Sequence, residues 1–160
     1  MQSPREDRMP VSEVPRILKR AEQYVKQTKF KEALALYDQA IRLEPKNPEG
    51  WSQRAGAKIE MERYAEAVTD CDQALLLNPN HSDAWARKAL ALSQLEQFVP
   101  ALAAAIRATT LNANDATAWY VKGICLEETG KSEEAEIAYA KSLELEILLD
   151  IKAEKDRVGR

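Results

Sequence analysis

The sequence predicts an all-α fold, a stack of paired helices, and three observations point to it. The three tryptophans, Trp51, Trp85 and Trp119, are spaced 34 residues apart, and a fixed period of that length marks a chain built from repeated units. Within each period the apolar and small residues advance by threes and fours, as in Trp51, Ala55, Ile59, Tyr64, Ala67, Val68, Cys71, Ala74 and Leu75; such steps line one face of a helix. Only five of 160 residues are glycine while alanine and leucine abound, a mixture that favours helix over strand.

Other columns keep the period. Ile17 is a weaker apolar member of the tryptophan series. Small residues recur at Ala21, Ala55, Ala89 and Gly123, and again at Ala40, Ala74, Ala108 and Ser142. Ring residues recur at Phe30, Tyr64 and Phe98, with Ser132 breaking the series, while Ala33, Ala67, Ala101 and Ala135 do not break. Leucine holds at 43, 77, 111 and 145, followed by Pro45 and Pro79 but then by Ala113 and Ile147.

Taken in order, the helices are expected at 14–27, 30–43, 48–61, 64–77, 82–95, 98–111, 116–129 and 132–146. Asn47 and Pro48 supply a cap and a first-turn proline for the third. Asp115 caps the seventh, and Pro100 falls in the first turn of the sixth, where a missing N–H costs little. Gly130 occupies a turn that tolerates positive φ. Residues 14–149 thus divide into units 14–47, 48–81, 82–115 and 116–149. Residues 1–13, polar and carrying two prolines, are expected to be a disordered tail. Residues 150–160 form a cap or tail: the stretch EILLDIKAEKDRVGR continues the last helix or makes a separate capping one, with Leu148, Leu149 and Ile151 covering the final unit. One helix pair cannot bury its own apolar face, so at least three must stack into a continuous core. The indoles are expected inside it, and truncating Trp85 to alanine there would cost about 3–5 kcal/mol.

These residues resemble the tetratricopeptide repeat family: the 34-residue period carries Trp51, Ala55, Tyr64, Ala67, Ala74 and Pro79 in that family's register. The resemblance implies a right-handed superhelix of four units whose first helices line a concave groove, and a groove that holds a peptide or helix of a partner protein. Transferred by register, the groove residues are Lys19, Glu22, Gln53, Asp83, Arg87, Leu90, Tyr120, Val121 and Ile124, with Leu18, Ser52 and Gly56 beside them. A co-chaperone subgroup grips a terminal carboxylate with lysine, asparagine and arginine; the matching positions here are Leu18, Glu22, Gln53, Asp83 and Arg87. Only Arg87 agrees, and Glu22 and Asp83 carry the wrong sign, so a carboxylate would meet repulsion. Leu90, Tyr120, Val121 and Ile124 are expected to form an apolar patch that receives a partner's side chains or the protein's own tail.

Composition bounds the rest. The net charge is −3 with a pI near 5.4, so no overall basic field calls for nucleic acid. No apolar run reaches the roughly 18 residues that suggest a membrane span, and MQSPREDRMP lacks the apolar core of a secretory signal. Two distant cysteines, Cys71 and Cys125, make no disulfide framework and no metal knuckle; both read as structural thiols, and a reducing, cytoplasmic setting is expected. His81, the single histidine, reads as a solvated loop residue. The basic column Arg20, Arg54, Lys88 and Lys122 reads as ion pairs to acids such as Asp38 or Asp72 rather than a phosphate track. Neither a Gly-rich phosphate loop nor an HExxH motif is present, so no enzyme, metal or cofactor is expected. The leading function is a protein-interaction adaptor. The alternatives are a self-assembling scaffold that joins copies through the groove or a stack end, and a segment of a larger protein.

Overall fold

A computed structural model describes residues 12–159. It contains eight helices among those residues: α1 Val14–Lys26, α2 Phe30–Leu43, α3 Pro48–Glu60, α4 Tyr64–Leu77, α5 Ser82–Gln94, α6 Phe98–Leu111, α7 Ala116–Glu128 and α8 Ser132–Val158. The first seven fall on the expected spans to within a residue. The expected disordered tail lies mostly outside the described residues, but Ser12 and Glu13 are placed. The Ser12 hydroxyl bonds the Glu44 carboxylate, and Ser12 Oγ accepts from the Val14 N–H at 3.2 Å.

Every pair closes with the same turn. After α1, the Thr28 N–H bonds the Val25 carbonyl (2.9 Å) and the Lys29 N–H bonds the Tyr24 carbonyl (2.9 Å), which consumes the orphan carbonyls of the helix end in a Schellman motif. The residue between must be left-handed. Thr28, Glu62, Glu96 and Gly130 fill that place with φ of 57°, 58°, 58° and 80°, so three of the four turns hold a strained non-glycine residue. Thr28→Gly is expected to raise stability by about 0.5–1 kcal/mol, the relief of a left-handed β-branched residue less glycine's greater entropy. A shift in the denaturation midpoint at constant slope checks it.

The starts of the first helices share a cap column as well. Asn47 Oδ1 accepts from the Glu49 N–H at 3.0 Å, His81 Nδ1 from the Ala84 N–H at 3.3 Å and Asp115 Oδ1 from the Ala118 N–H at 3.0 Å. His81 is therefore no solvated loop side chain. It occupies the place of Asn47 and Asp115 one unit along.

Each helix packs on its successor, and α1, α3, α5 and α7 also touch in sequence, whereas α2, α4, α6 and α8 do not touch one another. The odd helices thus lie inside the curve of an all-α superhelix. The alanine columns make this possible: Ala21, Ala55, Ala89, Ala33, Ala67 and Ala101 are fully buried, and helices approach closely only over small side chains. Cys71 and Cys125 are buried in the same spine, where loss of solvation pushes their thiols up to about 12 and about 11. At Gly123 even one methyl is too many, since a Cβ there would lie 2.6 Å from the Tyr139 ring. Gly123→Ala is expected to cost about 1–3 kcal/mol by overpacking. Unit three already pairs Ala89 with Ala105, both fully buried. The alanine should accordingly cost less in a Tyr139→Ala background, a coupling that a double-mutant cycle reads directly.

Two expectations fail. The tryptophans are half-buried at the connections rather than sealed in the core; their indole N–H groups donate to the carbonyls of Pro45, Pro79 and Ala113 at 3.0, 2.8 and 2.9 Å. Of the two alternatives for the C-terminal stretch, it is continuation of the last helix that is found, but without the covering role expected of its apolar residues. Residues 147–158 prolong α8 to 27 residues, about 40 Å. Leu148, Leu149 and Ile151 do not cover the last unit; they stand 53%, 59% and 46% exposed.

Candidate functional site

The concave side carries two adjoining clefts. The larger, about 410 Å³, is lined by residues of α1, α3 and α5 that include Glu22, Lys26, Glu49, Gln53, Glu60, Asp83 and Arg87. The smaller, about 290 Å³, continues along α5 to α7 past Asp83, Arg87, Leu90, Asp115 and Thr117. Of the residues transferred by register, Glu22 and Gln53 line the larger cleft, Leu90 the smaller, and Asp83 and Arg87 both. Lys19 is exposed on α1 but lines neither cleft.

Val121 must be corrected. It is 1% exposed and belongs to the core with Ala89, Ala101, Ala105 and Cys125. It shares its column with Gln53 and Arg87, whose long polar side chains reach the cleft; a valine is too short and stays between helices. The apolar patch breaks up with it. Leu90 packs against that same core, Ile124 is half-buried, and only Tyr120 stands clear at 53% exposure. Tyr120 leans on Tyr139, with ring centroids 5.7 Å apart. Leu18 and Ser52 are also buried.

The cleft is electrostatically lopsided. Four carboxylates, those of Glu22, Glu49, Glu60 and Asp83, share it with two cations. Lys26 is taken by Glu22 at 2.9 Å. Arg87 lies across α3 and donates to Ser52 Oγ at 2.5 Å, over the small Gly56, whose missing side chain leaves its Nε room. Glu49 is held by His81 Nε2 at 3.1 Å and Gln53 Nε2 at 2.6 Å. The His81 hydrogen bond chiefly, and Gln53 in addition, bring its carboxyl down to about 2 against the cost of burial. Because Nδ1 accepts from the Ala84 N–H, the proton of a neutral His81 sits on Nε2 and points at Glu49. His81 therefore ties α3 to the start of α5 at the groove wall. A carboxylate with a lowered folded-state pKa stabilises above its ordinary value. The contribution of Glu49 is expected to be complete above pH 4.5 and lost as pH falls toward about 2, and His81→Ala should remove that part of the acid profile. Gln53 Oε1 is buried with no hydrogen-bond partner among the described residues.

Of the basic column, Arg54 and Lys88 form ion pairs, while Arg20 donates to the Tyr24 hydroxyl at 3.3 Å and Lys122 makes no ion pair with a described residue. Arg54 binds Asp38 and Asp70 at 2.7 Å each, Lys88 binds Asp72 at 2.6 Å, and Lys58, outside that column, joins Asp70 at 2.7 Å. Arg54, Lys88 and Lys122 also lie 5.0, 5.5 and 4.6 Å over the rings of Trp51, Trp85 and Trp119, so each indole is closed by the cation one turn along its helix. Sequence reasoning missed Asp70 and the cap role of His81, although the repeat register carried both signals. Among the described residues no group of three His, Cys, Asp or Glu side chains could hold a metal ion, and no helix is long and apolar enough to cross a membrane.

Stacked helix pairs around an open groove define a helical-repeat protein-interaction module. The chain belongs to the tetratricopeptide repeat family: models of that repeat match residues 24–89 and 94–146, and members of the family are generally non-catalytic interaction modules. Solved structures agree. MamA 41-end from Desulfovibrio magneticus RS-1 is 26% identical over 84% of this chain and 76% of its own, with a TM-score of 0.73. The first TPR of Spaghetti (RPAP3), bound to the HSP90 peptide SRMEEVD, is 25% identical over 80% and 94%, with a TM-score of 0.64. The Arabidopsis OM64 TPR domain shares the fold at 23% identity over 71% and 94%, with a TM-score of 0.68. No curated protein matches the chain.

Proposed function

We propose that this protein is an adaptor whose groove receives a partner segment bearing lysine or arginine side chains. One observation carries the reading: four carboxylates face one cleft with two cations, both already engaged. Asp83 makes no ion pair with a described residue and lines both clefts. Electrostatic complementarity of this kind sets specificity and on-rate more than raw affinity. The RPAP3 repeat is solved with an acidic peptide; the sign of this groove disfavours such a ligand, since Glu22 and Asp83 stand where the resemblance places donors to a carboxylate. Leu90 and the exposed Tyr120 extend the surface toward α7 and offer apolar contact to the same segment.

Affinity capture from native lysate with wild type and Asp83→Lys tests this. Asp83 is exposed in the first turn of α5, so the variant should keep its helicity and lose only the small stabilisation, about 1 kcal/mol, of an acid at a helix N-terminus. Preys lost with the variant should carry basic segments, and binding should weaken with salt. An unchanged prey set, or acidic preys gained by wild type over the variant, would overturn the proposal.

A further inference from the structure

Beyond the groove, we infer that the outer face of α8 pairs with the same face of a second copy, antiparallel, to give a two-fold dimer. In units one to three the second helix packs on the first helix of the next unit, α2 on α3, α4 on α5 and α6 on α7; α8 touches α7 alone. Past Leu145, the last of its buried residues, α8 runs on with no described helix beside it, and there Ile147, Leu148 and Ile151 are 50%, 53% and 46% exposed. A lone stretch of helix is marginal in water, and contiguous exposed apolar surface marks a contact site.

The choice of a second copy rests on charge. Glu144, Ile147, Leu148, Ile151 and Lys155 occupy i, i+3, i+4, i+7 and i+11 of one helix, and so form one stripe. Glu144 and Lys155 lie equally far on either side of the midpoint between Leu148 and Ile151. An antiparallel pairing about that midpoint sets Leu148 against Ile151 and Glu144 against Lys155, each contact made twice, as an isologous interface requires. Glu144, 56% exposed at the side chain, is held only by its half-buried neighbour Lys141 at 2.9 Å, a pair of little worth, and Lys155 makes no ion pair with a described residue. Head-to-tail stacking is disfavoured because the opposite end of the stack, α1, turns the polar Arg16, Lys19, Arg20 and Gln23 outward.

Sedimentation velocity across a concentration series reads the outcome. The wild type should pass from monomer to dimer and stop there. Leu148→Asp/Ile151→Asp should weaken the dimer about a hundredfold without lowering the melting temperature, since both side chains are half-exposed in the monomer. Glu144→Lys should weaken it about tenfold, and Glu144→Lys/Lys155→Glu should restore it. A wild type that stays monomeric, growth beyond two copies, or a charge swap that fails to restore the dimer would each overturn the inference.

Discussion

Asp70→Ala is expected to lower stability by about 3–5 kcal/mol, the cost of breaking one side of a buried ion pair. Asp70 is 3% exposed at the side chain and satisfies both Arg54, 17% exposed, and Lys58, 11% exposed. Arg54 grips it with Nε and Nη2 at 2.8 and 2.7 Å. Without the carboxylate Lys58 keeps only Glu66 at 4.0 Å, and Arg54 keeps only Asp38. The repeat register shows how unusual the pair is. The column of Lys58 holds Tyr24, Leu92 and Leu126; that of Asp70 holds Leu36, Ala104 and Ala138. Two charges have replaced two apolar residues together. Lys58→Leu/Asp70→Ala, which gives these two positions the residues of the third unit, is therefore expected to lie closer to wild type than Asp70→Ala alone, because Lys58 is no longer buried without its partner, although Arg54 still loses Asp70. Chemical denaturation of the three variants checks this. Equal, additive losses would mean that the two side chains do not act as a pair.

Trp85→Ala is expected to cost about 3 kcal/mol, the low end of the range for a large aromatic. Its ring packs against two core clusters, one containing Ala89 and Leu92 and the other Ala74, Leu75 and Ala84. Its N–H holds the Pro79 carbonyl at 2.8 Å, and Lys88 and Arg107 lie 5.5 and 5.9 Å from the ring. The indole thus fastens the connection between units two and three. Trp85→Phe should keep most of the packing and lose about 1 kcal/mol for the hydrogen bond. A Trp85→Ala protein with unchanged melting would contradict this role.

The fold was legible because the period repeats in many columns at once, and no single substitution obscures it. Helix ends were legible where the cap residue was a common one, as at Asn47 and Asp115; His81 was overlooked in the same column because histidine suggests chemistry before it suggests a cap. Asp70 was overlooked because charge was sought where it recurs, whereas its signal was a departure from an apolar column. The groove was legible in register but not in depth. Lys19, Gln53, Arg87 and Val121 share one position: Val121 is too short and stays in the core, while long Lys19, on the first helix of the stack, points clear of the clefts that Gln53 and Arg87 line. The reach of α8 was legible only as one of two alternatives, since Leu148, Leu149 and Ile151 suit a docked cap and a projecting helix equally.

The most direct test of the groove's proposed sense is an amide-resonance titration of the ¹⁵N-labelled protein with two heptapeptides, one rich in lysine and arginine, the other the acidic SRMEEVD. The account predicts that the basic peptide shifts Glu49, Gln53 and Asp83 in a saturable, salt-sensitive way, and that the acidic one leaves them unmoved at the same concentration. Saturable binding of SRMEEVD at those residues, or shifts from the basic peptide confined to the outer helices α4 and α6, would contradict it.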